Sequence, residues 1–454
     1  MVQIKEEKRA MYRRIFVITL PIVLQNLLSA AVNSADVVML NYVGSSSLSA
    51  GSLASQYMSI AFMIYYGLGT GVSMLSAQYW GKGDVGAIHK VEGIALRFST
   101  IISTLFLLCC SFLPTKMMKI FTNDQVLIEI GADYLRIVGI SFIFWGFVSI
   151  YEAVLRSVGR VKICTLIDGV ALGLNVLLNA VFIFGLFGLP QMGIRGVALA
   201  TTISRGVALV ICIVVSLCSK DVKIVIQPIF HRHPGLFKDF LTMSIPALGN
   251  DIIWSVGFSM YSVILGHLGD DVVAANAIVS VVRNLGSVFC FAIGSATGII
   301  LGQMLGENRK EEAKTMSHIL LRLSFITGIL GGLIVFAITP FALHYANITE
   351  TAKNYLKFML LINTYYITGS AVNTTLIAGT FRAGGDSRFG FICDTVDMWG
   401  YAIPLGFLAA FVLKLPIQVV YFLLCTDEFV KWPWVFKHYY SYKWAKNITR
   451  DKVV

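Results

Sequence analysis

Charge is what this chain has least of: 13% of its 454 residues are Asp, Glu, Lys or Arg, against roughly 25% in an ordinary soluble domain. A soluble fold of that size would lack the polar surface to cover its core. Proline is sparse as well, at 10 residues, so helices can run long without interruption. The eight Cys and seven His show no metal-ligand or disulfide spacing, which leaves the cysteines as packing residues. The turns Gly81-Lys82-Gly83-Asp84 and Arg382-Ala383-Gly384-Gly385-Asp386 do not continue as the Gly-Lys-Ser/Thr of a phosphate-binding loop. Gly67-Leu68-Gly69-Thr70-Gly71 lies inside an apolar run, so ATP drive has no support. No nucleophile with a matching base is found, and an enzyme is not expected.

What is present is apolar: 56% hydrophobic residues and a mean hydropathy of +0.75. Apolar segments fall at 15–42, 49–79, 91–114, 127–155, 163–188, 193–218, 239–267, 272–304, 316–346, 352–380, 389–413 and 415–430, each near the ~20 residues a span requires. The fold class expected is all-α integral membrane, with about twelve transmembrane helices. The net charge of +11 does not indicate nucleic acid, because Lys and Arg are dispersed at segment ends rather than gathered in one stripe. Roughly 25 of them lie on alternate connections and about 5 on the others, which by the positive-inside rule predicts cytoplasmic termini in a cell membrane. No cleavable leader is expected, since Lys5, Lys8, Arg9, Arg13 and Arg14 precede a long apolar run without a small-residue cleavage site.

The sequence repeats itself. Pro21/Pro246, Gly44/Gly269, Ala50/Ala275, Gly69/Gly294, Gln78/Gln303 and Gly81/Gly306 are each separated by 225 residues. At a separation of 226 follow Pro114/Pro340, Arg156/Arg382, Gly159/Gly385, Asp168/Asp394 and Pro190/Pro416. One register held across so much chain indicates two homologous six-helix lobes. The organisation expected is a cytoplasmic N-terminus (1–14), an N-lobe (15–219), a cytoplasmic linker (220–238), a C-lobe (239–430) and a basic cytoplasmic tail (431–454). Parallel repeats of six spans imply a pseudo-twofold axis along the membrane normal and a substrate path between the halves.

Polar side chains within spans narrow the function. An acid at the centre of a span costs about 2.5–3.5 kcal/mol on insertion scales, so it needs a partner or water. Asp36, deep in the first run, is placed as an ion or proton ligand ahead of a structural hydrogen bond. Asn175 and Asn179, one turn apart on the fifth span, together with Thr201 or Thr202, supply oxygens suited to a hard cation such as Na⁺, or serve as interhelical glue. Gln25 and Asn26 after Pro21 match Asn250 and Asp251 after Pro246, as expected if both helices face a cavity. Trp254, three residues beyond Asp251, would set an aromatic wall beside an acid, a site for an organic cation. Arg283 is a cation in the eighth span whose partner the sequence does not name. Glu152 and Arg156 are expected to pair, and Asp394 and Asp397 are expected to clamp loops with Arg382 and Arg388, as Asp168 would with Arg156 and Arg160.

These residues resemble the multidrug and toxic compound extrusion (MATE) transporters. The resemblance covers essentially the whole chain: Pro21 through Asp36 to Tyr42-Val43-Gly44 and Ala50, Ala77-Gln78-Tyr79-Trp80-Gly81, and Asn175 to Asn179 before Gly196-Val197-Ala198-Leu199-Ala200-Thr201. In the second half it rests on Pro246, Leu268-Gly269, Ala274-Ala275, Gly302-Gln303-Met304-Leu305-Gly306 and Phe381-Arg382-Ala383-Gly384-Gly385-Asp386. The resemblance implies a V-shaped fold of two six-helix lobes and export of organic, cationic or amphipathic compounds in exchange for Na⁺ or H⁺. It makes Asp36 the family's first-span carboxylate. Two departures stand out: Asn179 replaces a second acid of the fifth span, and Trp254 stands where other members carry an acid on the seventh. The partners expected are a small organic substrate, the coupling ion and membrane lipid, with neither nucleic acid nor an obligate protein partner, and with no cofactor beyond bound Na⁺ or H⁺. The alternative is a flippase or exporter of a lipid-linked or amphipathic metabolite.

Overall fold

The computed structural model describes the backbone of residues 2–225, 227–231, 233–346 and 348–451, and side chains at all of these except 2–8, 10, 30, 33–38, 40–42 and 45. Every regular element among the described residues is helical. The first half runs α1 (Val2–Val43), α2 (Ser45–Lys82), α3 (Val85–Phe112), the short α4 (Pro114–Lys119), α5 (Gln125–Val138), α6 (Ser141–Ser157), α7 (Val161–Phe184), α8 (Gly193–Cys218) and the one-turn α9 (Gln227–Phe230). The second runs α10 (Pro234–Gly266), α11 (Asp270–Gly306), α12 (Lys310–Tyr345), α13 (Glu350–Asn373), α14 (Ser387–Asp394), α15 (Ile403–Phe407), α16 (Ile417–Leu424), α17 (Asp427–Val430) and α18 (Trp432–Tyr440). Wider π turns at Thr374–Phe381, Thr395–Ala402 and Leu408–Val412 respectively continue α13, link α14 to α15 and extend α15.

Local chemistry sets several boundaries. Asp84 caps α3 by accepting from the Ala87 N–H at 2.9 Å, Asp124 caps α5 through the Val126 N–H at 2.9 Å, and Thr349 caps α13 through the Ala352 N–H at 3.1 Å, each supplying an acceptor to an otherwise orphaned donor. Gly44 and Gly269, partners in the repeat, break the chain at φ +119° and +124°, a region glycine enters without a Cβ penalty. The two halves thus turn at the same register position by the same device.

Among the described residues, nine helices are long and apolar enough to cross a bilayer, and α5 with α6, bent by 51°, makes a tenth. The sequence expected twelve. The tenth span, α13 with its π extension, is long enough but less apolar, because its Asn363, Ser370, Asn373 and Thr375 are buried inside the protein rather than facing lipid. The twelfth, 415–430, is not one rod: α16 stops at Leu424, and α17 and α18 follow as separate short helices. Elsewhere the outward faces are apolar at helical spacing, as in Ile101, Leu105, Leu108 and Phe112 of α3 and Ile326, Ile329, Leu330, Leu333 and Phe336 of α12. Stripes of that length are stable against hydrocarbon and not against water.

The chain divides into two compact units, Met1–Val23 with Ala77–Lys82 and Thr242–Arg450, and Leu24–Ser76 with Gly83–Leu241 and Asp451–Val454. In the first, α11 is the central rod: 72% of its apolar window is buried, against α12 and α13. Its C-terminal end crosses the last turn of α2 at backbone contact. A Cβ on Gly81 would collide with the Gln303 carbonyl, and one on Gly306 with the Gln78 carbonyl, so repeat partners meet each other reciprocally. The segment after α18 is bound to the same place. Gln78 donates to the carbonyls of Ala383 at 2.7 Å and Lys446 at 3.0 Å and accepts from the Ile448 N–H at 2.8 Å, while Trp444 is fully buried.

In the second unit α7 packs on α8, and α6 packs on both α3 and α8. Tyr65 and Ser103 hydroxyls meet at 2.6 Å, and Phe106 stacks on Phe142 at 4.9 Å. The polar segment after α8 is tied down: Tyr151 donates to the Val222 carbonyl at 3.1 Å, and Arg97 to those of Ile229 and His231 at 2.8 and 2.7 Å.

Candidate ion and substrate sites

Asp36 falls on α1, but its side chain lies outside the described residues. The residues expected around it come together among themselves. Asn175, on α7, donates to the Thr201 hydroxyl of α8 at 3.4 Å, and Asn179 donates to the Asn175 carbonyl oxygen at 3.3 Å. Both asparagines are buried, and the one-turn spacing aligns them on the face of α7 that meets α8. The structure separates the two threonine candidates. Thr202 points the other way, donating to the Ala198 and Ile137 carbonyls at 2.8 and 3.2 Å.

Gln25 donates to Asp168, and Asn26 is half-buried one residue on. Glu152 and Arg156 pair at 3.4 Å as their spacing predicts. Arg160 turns away from Asp168, to Ser219 at 2.9 Å and Asp221 at 3.4 Å. The expected clamp of Asp168 is therefore corrected at Arg160 only: Gln25 donates to that acid, and the Arg156 charge acts on it as expected.

The other unit contains a larger polar network. Arg382 donates to Asp251 at 2.7 Å and to the Asn250 carbonyl oxygen at 2.8 Å. Asn250 passes the chain on to Asp394 at 2.6 Å. Lys431, 2% exposed, then reaches Asp394 at 3.1 Å and Asp397 and Glu428 at 3.3 Å each. Asn373 donates to Glu428 at 2.5 Å, and Tyr261 to Asp427 at 3.0 Å. Two cations thus pair with four carboxylates in a largely buried region, and Tyr261 holds a fifth.

Three expectations change here. Asp251 is engaged by Arg382 rather than standing beside Trp254 as an acid for a cation. Asp394 and Asp397 are clamped by Lys431, not by Arg382 and Arg388. Lys431 itself, counted by sequence with the solvated tail, is buried, because α17 and α18 fold back over the π-turn segment. Trp254 packs on Phe258 with ring centres 4.4 Å apart, and the Arg283 guanidinium lies over the Phe258 ring, 4.8 Å from its centroid. Arg283 has no carboxylate within 4 Å among the described residues. It lines a small space of about 20 Å³, room for about one water, with Phe258, Tyr261, Asn276, Tyr366 and Tyr421.

Sequence reasoning passed over two further residues. Arg205, in mid-α8, lies 3.9 Å over the Trp145 ring and donates to Ser141 at 2.9 Å; a cation deep inside the apolar 193–218 run, unlike Arg195 at its start, is the signal that marks it. Glu92 of α3 is buried, with neither carboxylate oxygen hydrogen-bonded among the described residues, and its place in 91–114 is the same signal. No group of three or more His, Cys, Asp or Glu suited to a metal ion is found among the described residues.

Comparison with known proteins agrees with this architecture. The MatE family model matches residues 21–181 and again 246–408, once in each half of the repeat. The "uncharacterized transporter YisQ" of Bacillus subtilis is 23% identical over 95% of both chains. The "probable multidrug resistance protein YoeA" of the same organism is 24% identical over 98% of this chain and 97% of its own. The "probable multidrug resistance protein NorM" of Thermotoga maritima is 23% identical over 99% and 97%. Among solved structures, a MOP superfamily transporter from Pyrococcus furiosus superposes with a TM-score of 0.84 at 19% identity, covering 95% of this chain and 97% of that one. The Vibrio cholerae MATE transporter VcmN in its bent form gives 0.85 at 17%, covering 96% and 99%. Two copies of one six-helix pattern, with the family signature in each, place this chain in the MatE family of multidrug and toxic compound extrusion proteins: it is a membrane transporter and not an enzyme.

Proposed function

We propose that the protein is a secondary active antiporter that exports organic, amphipathic compounds across the cell membrane in exchange for Na⁺ or H⁺, by alternating access with both termini cytoplasmic. The observation that carries this reading is the buried row Thr201–Asn175–Asn179 between α7 and α8. Side-chain oxygens aligned inside a span are costly unless they serve as packing glue or as ligands. Asp36 on α1 supplies the charge that turns such a row into a cation or proton site. Binding there drives transport only if the ion favours one orientation of the protein over the other. The names of the curated relatives support multidrug compounds as cargo.

The test is efflux of a fluorescent organic compound from proteoliposomes, with Na⁺ and H⁺ gradients imposed separately. Efflux is expected under one gradient and absent without either, and Asp36→Asn is expected to abolish it while the protein still purifies as a folded species. Unaltered efflux in Asp36→Asn removes that residue from coupling; gradient-independent efflux removes the antiport mechanism.

A further inference from the structure

The first turn of α7, the last turn of α8 and the polar segment that leaves α8 border a cleft of about 410 Å³, open to the surface. Its floor is apolar, from Ile163 and Val215, and its rim carries Arg160 and Lys220. Arg160 donates to the Ser219 hydroxyl at 2.9 Å and to Asp221 at 3.4 Å, which leaves three of its five N–H groups unused among the described residues. Asp221 is the one acid of the lining, and with its side chain 57% exposed it offsets Arg160 only weakly. Lys220 makes no hydrogen bond or ion pair among the described residues. Lys162, exposed two residues beyond Arg160, adds a third cation nearby. Two apolar stripes lead away from the cleft in helical register. From Ile163 the exposed Leu166 and Val170 follow along α7; from Cys218 the exposed Val214 and Val210 follow along α8, with Leu217 beside them.

Both α7 and α8 are long and apolar enough to cross a bilayer, so their ends lie at headgroup depth and their exposed stripes meet acyl chains. Lys and Arg are ordinary at span ends, where water solvates them. A hollow beneath them, with an apolar floor that continues into two apolar tracks, is not required for that solvation. Basic pockets between spanning helices are the complement of acidic lipid headgroups. We propose that this cleft holds the headgroup of an anionic phospholipid, with Arg160 and Lys220 taking its phosphate and the stripes of α7 and α8 its acyl chains. The volume lies within the range of ligand cavities, roughly 300–1,000 Å³, and suits a phosphodiester with a small headgroup. The site is separate from the cargo and the coupling ion. It rests on the proposed topology only for the leaflet, which is then the cytoplasmic one.

Cys218 is an exposed thiol in the lining, and its rate of reaction with N-ethylmaleimide reads occupancy of the cleft. The full-length protein is reconstituted in nanodiscs of phosphatidylcholine, with and without phosphatidylglycerol, and the modified peptide is followed by mass spectrometry. Phosphatidylglycerol at about a quarter of the lipid is expected to slow Cys218 about fivefold or more, roughly the factor one basic residue contributes at an anionic surface. In Lys220→Gln and in Arg160→Gln the ratio of the two rates should fall toward one, and Arg160→Lys should keep most of it. Lys220 has no partner to lose, so Lys220→Gln decides the matter even where Arg160→Gln does not fold. Equal rates in the two lipids for wild type overturn the proposal. A ratio that persists undiminished in Lys220→Gln also overturns it, because the bilayer's surface charge then accounts for the slowing. Inorganic phosphate added to phosphatidylcholine discs separates the two sources of the same chemistry. No effect is expected; slowing as large as that by phosphatidylglycerol would make the ligand a soluble phosphate and overturn the lipid assignment. Loss of gradient-driven efflux on the same preparation would remove the antiporter and leave this site, since the labelling ratio does not depend on transport.

Discussion

Asn250 donates a hydrogen bond to Asp394 at 2.6 Å, and one repeat earlier Gln25 donates to Asp168. The contact joins the helix that opens each half to the helix that follows the fourth crossing of that half. Both ends of the contact keep their place in the repeat. In one half the acid is extended by Lys431 into a network of carboxylates; in the other it stays with Gln25, while Arg156 pairs with Glu152. A carboxylate inside a span needs a donor whatever else changes, which explains why both halves pair this acid with an amide.

Lys431 is the cation on which most of that network depends. Replacing it by Met keeps the volume but leaves Asp394, Asp397 and Glu428 without their common partner. Removing one member of a buried ion pair costs roughly 3–5 kcal/mol. Lys431→Met is therefore expected to lower the melting temperature of the detergent-solubilised protein sharply, with Lys431→Arg intermediate. A melting temperature for Lys431→Met equal to wild type would show that the carboxylates do not depend on it.

The crossing of α2 and α11 makes a different demand. Gly81 and Gly306 each lie against the other helix's backbone carbonyl, and backbone cannot move aside as a flexible side chain can. Gly81→Ala and Gly306→Ala should each destabilise by about 1–3 kcal/mol, the usual cost of overpacking. Gly173→Ala is the control: nothing lies within 4 Å of a Cβ there, and Ala in a helix is favoured over Gly by about 1 kcal/mol. Thermal melts of the three variants should order accordingly.

The fold was legible because its strongest signals are one-dimensional. Apolar run length, loop charge and a repeat spacing of 225 need no knowledge of what touches what. Asn175, Asn179 and Thr201 were legible for a related reason, since helical spacing fixes a shared face. Pairing was not. Arg382 and Arg388 are close in sequence to Asp394, yet Lys431 holds that acid after a chain reversal through α16 and α17 that hydropathy smoothed into a single span. Asp251 looked free beside Trp254 because its partner, Arg382, is more than a hundred residues away. Long-range electrostatic choices are made by packing, and neighbours in sequence are poor guides to them.

Trp444 carries the attachment of the C-terminal segment. Its side chain is fully buried, stacked parallel to Tyr439 at 6.2 Å, with its indole N–H donating to the Tyr439 carbonyl at 3.1 Å. Trp444→Ala should cost about 3–5 kcal/mol, as for other buried aromatics. It should also raise protease sensitivity between residues 441 and 451, where Gln78 now holds the backbone. Limited proteolysis followed by mass spectrometry reads this directly, and an unchanged cleavage rate would mean that Gln78 alone secures the segment.

The turn before α14 gives a pH-dependent contact outside the spans. Asp386 meets His438 Nε2 at 2.8 Å. Burial pushes the Asp386 carboxyl up, but the hydrogen bond and charge of His438, with Lys446 and the Phe389 backbone, outweigh it and hold the group below its ordinary value of 3.8. A carboxylate depressed in the folded state contributes stability that is fully present above its unfolded value and is lost as pH falls through the folded one. Wild type should therefore exceed Asp386→Asn by ~1–2 kcal/mol at neutral pH, the range of a charged hydrogen bond, and the two melting curves should converge as the pH is lowered below about 3.9. A gap that does not narrow as the pH falls through the acid range, or that never existed at pH 7, would assign the contact to packing rather than to charge.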